Sequence, residues 1–118
     1  MSGSIGYHAG LAAEEIVAND YMNRNHAIAA RRWRGKAGEI DLIAREGDTV
    51  VFIEVKKSRS FATAAARLGR GQMERIVASA SEFLGGEPLG QLTDVRFDLA
   101  MVNGIGAVKV TENAFMEM

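Results

Sequence analysis

Gly38-Glu-Ile-Asp-Leu-Ile-Ala-Arg-Glu-Gly-Asp-Thr-Val-Val-Phe-Ile-Glu-Val-Lys56 decides the fold of this chain. Its isoleucine, valine, leucine and phenylalanine favour strands, and Gly47-Asp48 is a two-residue hairpin signal. That turn sets a register: Glu46 with Thr49, Ala44 with Val51, Leu42 with Ile53 and Ile40 with Val55 on one face. The other face then carries Ile43 opposite Phe52, Asp41 opposite Glu54, and Glu39 opposite Lys56. Opposed side chains of an antiparallel pair stand about 4.5–5.5 Å apart at Cβ, where like charges destabilise a sheet. The expectation is a cation between Asp41 and Glu54, with Lys56 two residues further along.

Outward from the hairpin, residues 7–23 read as a helix. At 100° per residue its apolar side holds Gly10, Leu11, Val17, Ala18, Tyr21 and Met22. Glu14 falls near the centre of that side and Glu15 at its margin. A carboxylate facing a packed surface needs a partner, hydrogen bond or metal; a slightly rotated helix would instead leave Glu14 on the rim. Asn23-Arg-Asn-His is a turn. Residues 26–34 read as a strand with Ile28, Ala30 and Arg32 on one face and Ala27, Ala29, Arg31 and Trp33 on the other.

Beyond Lys56, residues 61–71 suit either a short helix or a loop. Gln72 to Leu84 is a helix with Met73, Ile76, Val77, Ala80, Phe83 and Leu84 inside, stopped by Gly85-Gly86. Strands follow over residues 94–102 and 107–111, and Phe115 can dock the tail. The order α-β-β-β-α-β-β predicts a single α/β domain over residues 1–118, a mixed sheet covered by helices.

Composition excludes several function classes. The chain has 118 residues, the size of one domain, and no cysteine, so disulfides, thiolate metal sites and cysteine nucleophiles are absent. No apolar run reaches membrane-span length, and the first residues lack the basic and apolar regions of a secretory signal. The expected location is the cytoplasm. Net charge is −1, which argues against coating nucleic acid, yet residues 24–75 hold 12 basic and 6 acidic side chains. That basic middle suits a phosphate-rich partner, DNA being the expected one; a solvated surface of mixed charge is the competing explanation. Arg31-Arg-Trp-Arg34 is placed to contact a phosphate backbone or stack on a base, with Lys36, Lys57, Gln72 and Arg75 as further candidate contacts.

Asp41 and Glu54 are hard oxygen ligands suited to Mg²⁺ or Mn²⁺, and the Val55 carbonyl can add a third oxygen. Mg²⁺ typically takes one or two carboxylates and completes its shell with waters and substrate phosphate. Such an ion activates water and stabilises charge on a phosphodiester. Lys56 either orients or deprotonates the attacking water, or stabilises the transition state. Glu14 would add a ligand or a supporting acceptor.

The spacing Asp41, twelve residues, Glu54-Val-Lys56 resembles the core of PD-(D/E)XK nucleases, with Ile40 at the proline position. Ala13-Glu-Glu, Arg31-Arg-Trp-Arg, Gly38-Glu-Ile-Asp-Leu-Ile-Ala, Gly47-Asp-Thr-Val-Val-Phe-Ile-Glu-Val-Lys56 and Arg96-Phe-Asp98 together look like the YraN-type uncharacterised family. That family is regarded as similar to archaeal Holliday-junction resolvases. The resemblance covers about residues 10–115. It implies a restriction-endonuclease-like fold, with Asp41 and Glu54 as metal ligands, Lys56 catalytic and Glu14 the acid of the first helix. It also implies a metal-dependent endonuclease on DNA, branched DNA included, and C2 symmetry would suit a homodimer cutting two strands. Near residue 72 the family often has lysine, and this chain has glutamine. Glu39 matches the string without a settled role, pairing across the hairpin with Lys56 being the expectation; Asp98 reads as structural. The competing functions are a nucleic-acid-binding or assembly module without turnover, and a salt-bridge cluster that binds no metal.

Overall fold

The computed structural model describes residues 2–115. Helix α1 (Ser2–Asn23) precedes β1 (Ala27–Arg34), β2 (Glu39–Glu46) and β3 (Thr49–Lys57). Two helices follow, α2 (Phe61–Ala66) and α3 (Arg70–Leu84), then a 3-10 turn over Gly90–Leu92, β4 (Val95–Val102) and β5 (Val108–Thr111). The five strands form one sheet in the order β1-β2-β3-β4-β5, with β3 and β4 parallel and the other neighbours antiparallel. The parallel step needs a crossover, which α2 and α3 supply. This five-stranded mixed sheet flanked by helices is the restriction-endonuclease-like architecture the sequence predicts. The addition is α2, which the sequence leaves between helix and loop; Ser60 caps it by accepting the Thr63 N–H.

Helices cover both faces of β3, which is why its sequence runs apolar without alternation. On one face α1 packs Ala13, Val17, Ala18 and Tyr21 against Leu42, Ala44, Val51 and Ile53. On the other, α3 packs Ile76, Ala80 and Leu84 against Ile40, Ile43, Val50 and Phe52. Phe115 is buried there and stacks on Phe97, as the tail's composition anticipates. The buried face of α1 is rotated from the projected one. Ala13 belongs to it, whereas Gly10 and Met22 are exposed.

The hairpin register holds from Glu46↔Thr49 through Ile43↔Phe52 to Leu42↔Ile53. There the ladder ends, so Ile40/Val55, Asp41/Glu54 and Glu39/Lys56 are not ladder pairs. Regular pairing would give the Val55 N–H to the Ile40 carbonyl. Instead Asp41 Oδ2 accepts it at 2.8 Å. In β1 the alternation also breaks twice. The register shifts between Ile28 and Ala30, which puts Ile28 with the α1 core and Ala30 with the α3 core. Then Arg32, between the pairs Arg31↔Leu42 and Trp33↔Ile40, adopts φ +52°. Across that point both strands exchange faces. Arg31 reaches Glu15 of α1 while Trp33 packs on Phe83 of α3, and Leu42 lies in the α1 core while Ile40 lies in the α3 core.

The connection from β1 to β2 is held close to α3. Ser79 Oγ donates to the Gly38 carbonyl at 2.9 Å, and the Lys36 N–H donates to Glu82 Oε1 at 2.9 Å. A Cβ on Gly35 would stand 2.8 Å from Trp33 Cζ3 and 3.1 Å from Glu82 Oε1. Gly35→Ala is therefore expected to destabilise the fold by about 1–2 kcal/mol, through overpacking. A thermal melt unchanged from wild type would contradict that close approach.

Candidate metal and nucleic-acid site

The site forms where β2 and β3 part. β3 carries Glu54, Val55 and Lys56 past the last hairpin pair while still joined to β4, through Glu54↔Leu99, Val55↔Ala100 and Lys56↔Met101. Asp41 occupies the gap, its carboxylate substituting for a backbone carbonyl at Val55. Within a strand, a residue's N–H and C=O point the same way. The Val55 carbonyl therefore faces this gap too, as a role in holding a metal requires.

Glu54 is 4% exposed. Lys56 Nζ lies 3.2 Å from its Oε2, and Gln72 Nε2, in the first turn of α3, donates to the same oxygen. Burial, then the charge of Asp41 and the hydrogen bond between the two carboxyls, push the Glu54 carboxyl up to about 8, against the opposing pull of Lys56. A buried carboxyl forced against another is short of positive charge. A divalent ion would supply that charge, and the available donors, two carboxylates and a carbonyl, are hard oxygens of the kind Mg²⁺ or Mn²⁺ takes. The residues present fit such an ion. Among the described residues no group of three His, Asp or Glu side chains converges at metal-binding geometry, so waters or phosphate would complete its shell.

Glu14 sits at the edge of the α1 face with its side chain 15% exposed. Burial first, and then the charge of Asp41, raise its pKa, while Arg32 lowers it. It thus shares the electrostatic field of the pair, but its nearest cation is Arg32 Nε, 3.7 Å from Oε1. Arg32 Nε also lies 3.5 Å from Glu39 Oε1, and Arg34 Nη2 lies 3.4 Å from Glu39 Oε2. Glu39 is therefore paired with arginines of β1 and not with Lys56, because the exchange of faces at Arg32 carries it toward α1.

The other candidate contacts are spread along the surface. Arg31 pairs with Glu15 at 2.6 Å, Arg34 is 75% exposed, and Lys36, Lys57 and Arg75 are exposed. The Lys57 carbonyl is held by Arg67 Nη1 at 2.9 Å. Gln72 is the exception, being turned toward Glu54. A cleft of about 200 Å³ lined by Arg45, Asp48, Glu87, Pro88, Leu89 and Thr93 contains none of the candidate residues.

Sequence reasoning misses the left-handed backbone at Arg32. It also misses a buried network on the α1 face. Asp98, fully buried, accepts from Tyr21 Oη at 2.7 Å, Arg96 Nε at 2.9 Å and the Asn113 N–H at 3.2 Å. Arg96 Nη1 extends the network to Glu46 at 3.0 Å, and its Nη2 lies 3.3 Å from His26 Nε2. The available signal is Arg96-Phe-Asp98, two charges at alternate positions in an otherwise apolar strand.

Residues 13–102 match the model of the uncharacterised protein family UPF0102. A UPF0102 protein of Cereibacter sphaeroides is 63% identical over 115 residues, covering 98% of this chain and 98% of its own length. One from Ruegeria pomeroyi is 57% identical over 113 residues, covering 96% and 92%. One from Dinoroseobacter shibae is 44% identical over 108 residues, covering 92% and 81%.

Proposed function

The chain belongs to the uncharacterised protein family UPF0102, and we propose that it is a divalent-metal-dependent endonuclease hydrolysing DNA phosphodiester bonds, branched DNA included. One observation carries this reading: Glu54, 4% exposed, is buried against Asp41, with Lys56 as the charge of opposite sign beside it among the described residues. Keeping two carboxyls together in a buried place is costly unless a cation offsets them.

In this reading Asp41 and Glu54 hold Mg²⁺ or Mn²⁺, with the Val55 carbonyl beside them. The bound ion supplies an activated water and stabilises charge on the phosphodiester. The Val55 N–H fixes Asp41, and Gln72 fixes Glu54, so both carboxylates are oriented by groups on rigid elements. Lys56, 3.2 Å from Glu54, is held by that contact where it orients or deprotonates the attacking water, or stabilises the charge of the transition state. Arg31, Arg34, Lys36, Lys57 and Arg75 supply exposed positive charge for the backbone of the nucleic acid.

No helix among the described residues is long and apolar enough to cross a membrane. We assign the protein to the cytoplasm, with a homodimer as the assembly suited to symmetric branched DNA.

Incubation with branched, nicked and single-stranded DNA in Mg²⁺ or Mn²⁺ tests the activity. Cleavage is expected, and Asp41→Ala should lower it by roughly a hundredfold or more, the scale of losing a group that acts on the transition state. Cleavage undiminished in that variant overturns the proposal. A second reading, a nucleic-acid-binding module without turnover, is favoured by one fact. Both carboxyls already have protein donors, Val55 N–H on Asp41 and Gln72 and Lys56 on Glu54. It predicts salt-dependent binding to the same DNAs with no cleavage in either metal.

A further inference from the structure

Arg32 stands apart from the other basic residues of β1. At φ +52° it holds a left-handed backbone inside a strand, a conformation that costs on the order of 1–3 kcal/mol for a residue with a side chain. It lies at the register position of Asp41, between Arg31↔Leu42 and Trp33↔Ile40. The distortion carries its guanidinium toward α1, where Nε is 3.7 Å from Glu14 and 3.5 Å from Glu39. Strain at this point is offset by bringing one cation to two carboxylates beside the Asp41–Glu54 pair.

From this geometry, and resting on the metal-site reading above, we infer that Arg32 is an internal counter-cation of the acidic cluster, competing with the divalent ion until a nucleic-acid phosphate draws its guanidinium away. Arg32 is a positioning residue in this scheme. It is 38% exposed at the side chain and so within reach of a bound polyanion. Its Nε contacts, at 3.5 and 3.7 Å, are looser than the 2.6 Å contact between Arg31 and Glu15. Phosphates neutralise arginines by charge-assisted bidentate contacts stronger than such contacts. Releasing the guanidinium takes one cation from Glu14 and leaves Glu39 to Arg34, so the negative charge beside Asp41 grows and the affinity of the cluster for a cation rises. By linkage, the metal-loaded protein binds DNA more tightly to the same degree.

The test is Mn²⁺ titration of the full chain by calorimetry, without DNA and with a short duplex. Arg32→Asn removes the charge and keeps a residue that tolerates positive φ; Arg32→Gly fits that backbone with no strain at all. Arg24→Asn, an exposed cation paired with Asp20 on α1, controls for net charge. Loss of one unit charge a few ångströms from the cluster, discounted for exposure, is expected to tighten Mn²⁺ binding about five- to tenfold in both Arg32 variants. The control should stay within about twofold. The gain in Mn²⁺ affinity on adding duplex should be larger in wild type than in Arg32→Asn by about the same factor. Equal Mn²⁺ affinity in wild type and both Arg32 variants, or equal tightening in the control, overturns the inference and leaves the metal site standing. No Mn²⁺ binding by wild type or by either Arg32 variant overturns the metal site and the inference together.

Discussion

Glu54→Gln is expected to make the metal-free protein more stable above pH 7 while lowering metal-dependent cleavage by at least about a hundredfold. The side chain is nearly inaccessible and pressed against Asp41, and its carboxyl is pushed up to about 8 from an ordinary value of 4.5. A raised folded-state pKa means that the neutral form is the one the fold prefers. Its stabilising contribution is complete below pH 4.5 and is lost as pH rises through about 8. Metal-free wild type should therefore weaken across that window. Glutamine has the shape of the neutral acid and does not titrate, so the variant should lack this component of the slope. The gap between the two at pH 9 should be on the order of 2 kcal/mol or more, since a tenfold change in acid strength is worth about 1.4 kcal/mol and the two carboxyls share the effect. Adding Mg²⁺ should narrow the gap by stabilising wild type alone. Urea unfolding at pH 5, 7 and 9, with and without Mg²⁺, measures all of this. Parallel pH profiles for the two proteins, combined with full cleavage by the variant, would remove Glu54 from the site.

The parts of this site that are legible in the sequence are those governed by local rules. Strand propensity and a two-residue turn are nearest-neighbour properties, and they give the hairpin correctly from Glu46↔Thr49 to Leu42↔Ile53. They also bring Asp41 and Glu54 together, though by a different contact from the expected one. Pleat parity extended through Asp41 fails, because the ladder has already ended there. No residue-type preference announces an arginine at φ +52°, since left-handed backbone favours glycine, asparagine and aspartate. Across from that point, Glu39 turns to the arginines of β1 and Ile40 to the α3 core. Gln72 lies 18 residues from Glu54 in sequence, and only the turn of α3 brings them into contact. Rotation of α1 about its axis depends on how it seats over Leu42, Ala44, Val51 and Ile53, so projection alone misplaces Gly10 and Met22.

Asp98→Ala should be the most destabilising single change on the other side of the sheet, at about 3–5 kcal/mol. Its carboxylate is fully buried and accepts from Tyr21, Arg96 and the Asn113 N–H. Removing it strands a tyrosine hydroxyl, a backbone N–H and a guanidinium in one place. Arg96 retains Glu46 at 3.0 Å and Glu112 at 3.7 Å, but those carboxylates are 52% and 55% exposed and compensate it weakly. Burial, helped by the adjacent Asp98 charge, holds the Tyr21 phenol far above its usual range. Tyr21→Phe removes the donor while Asp98 keeps Arg96, so it should cost only about 1–2 kcal/mol. The double variant Tyr21→Phe/Asp98→Ala should then cost less than the sum, because the hydroxyl left orphaned by the alanine is no longer there. Asp98 lies on the α1 face, opposite the side on which Glu54 meets Gln72. Cleavage per folded molecule should therefore change far less than stability. Urea unfolding of the three variants measures the coupling, and additive losses, or a loss below about 1 kcal/mol for Asp98→Ala, would show that Arg96 rather than Asp98 organises the network.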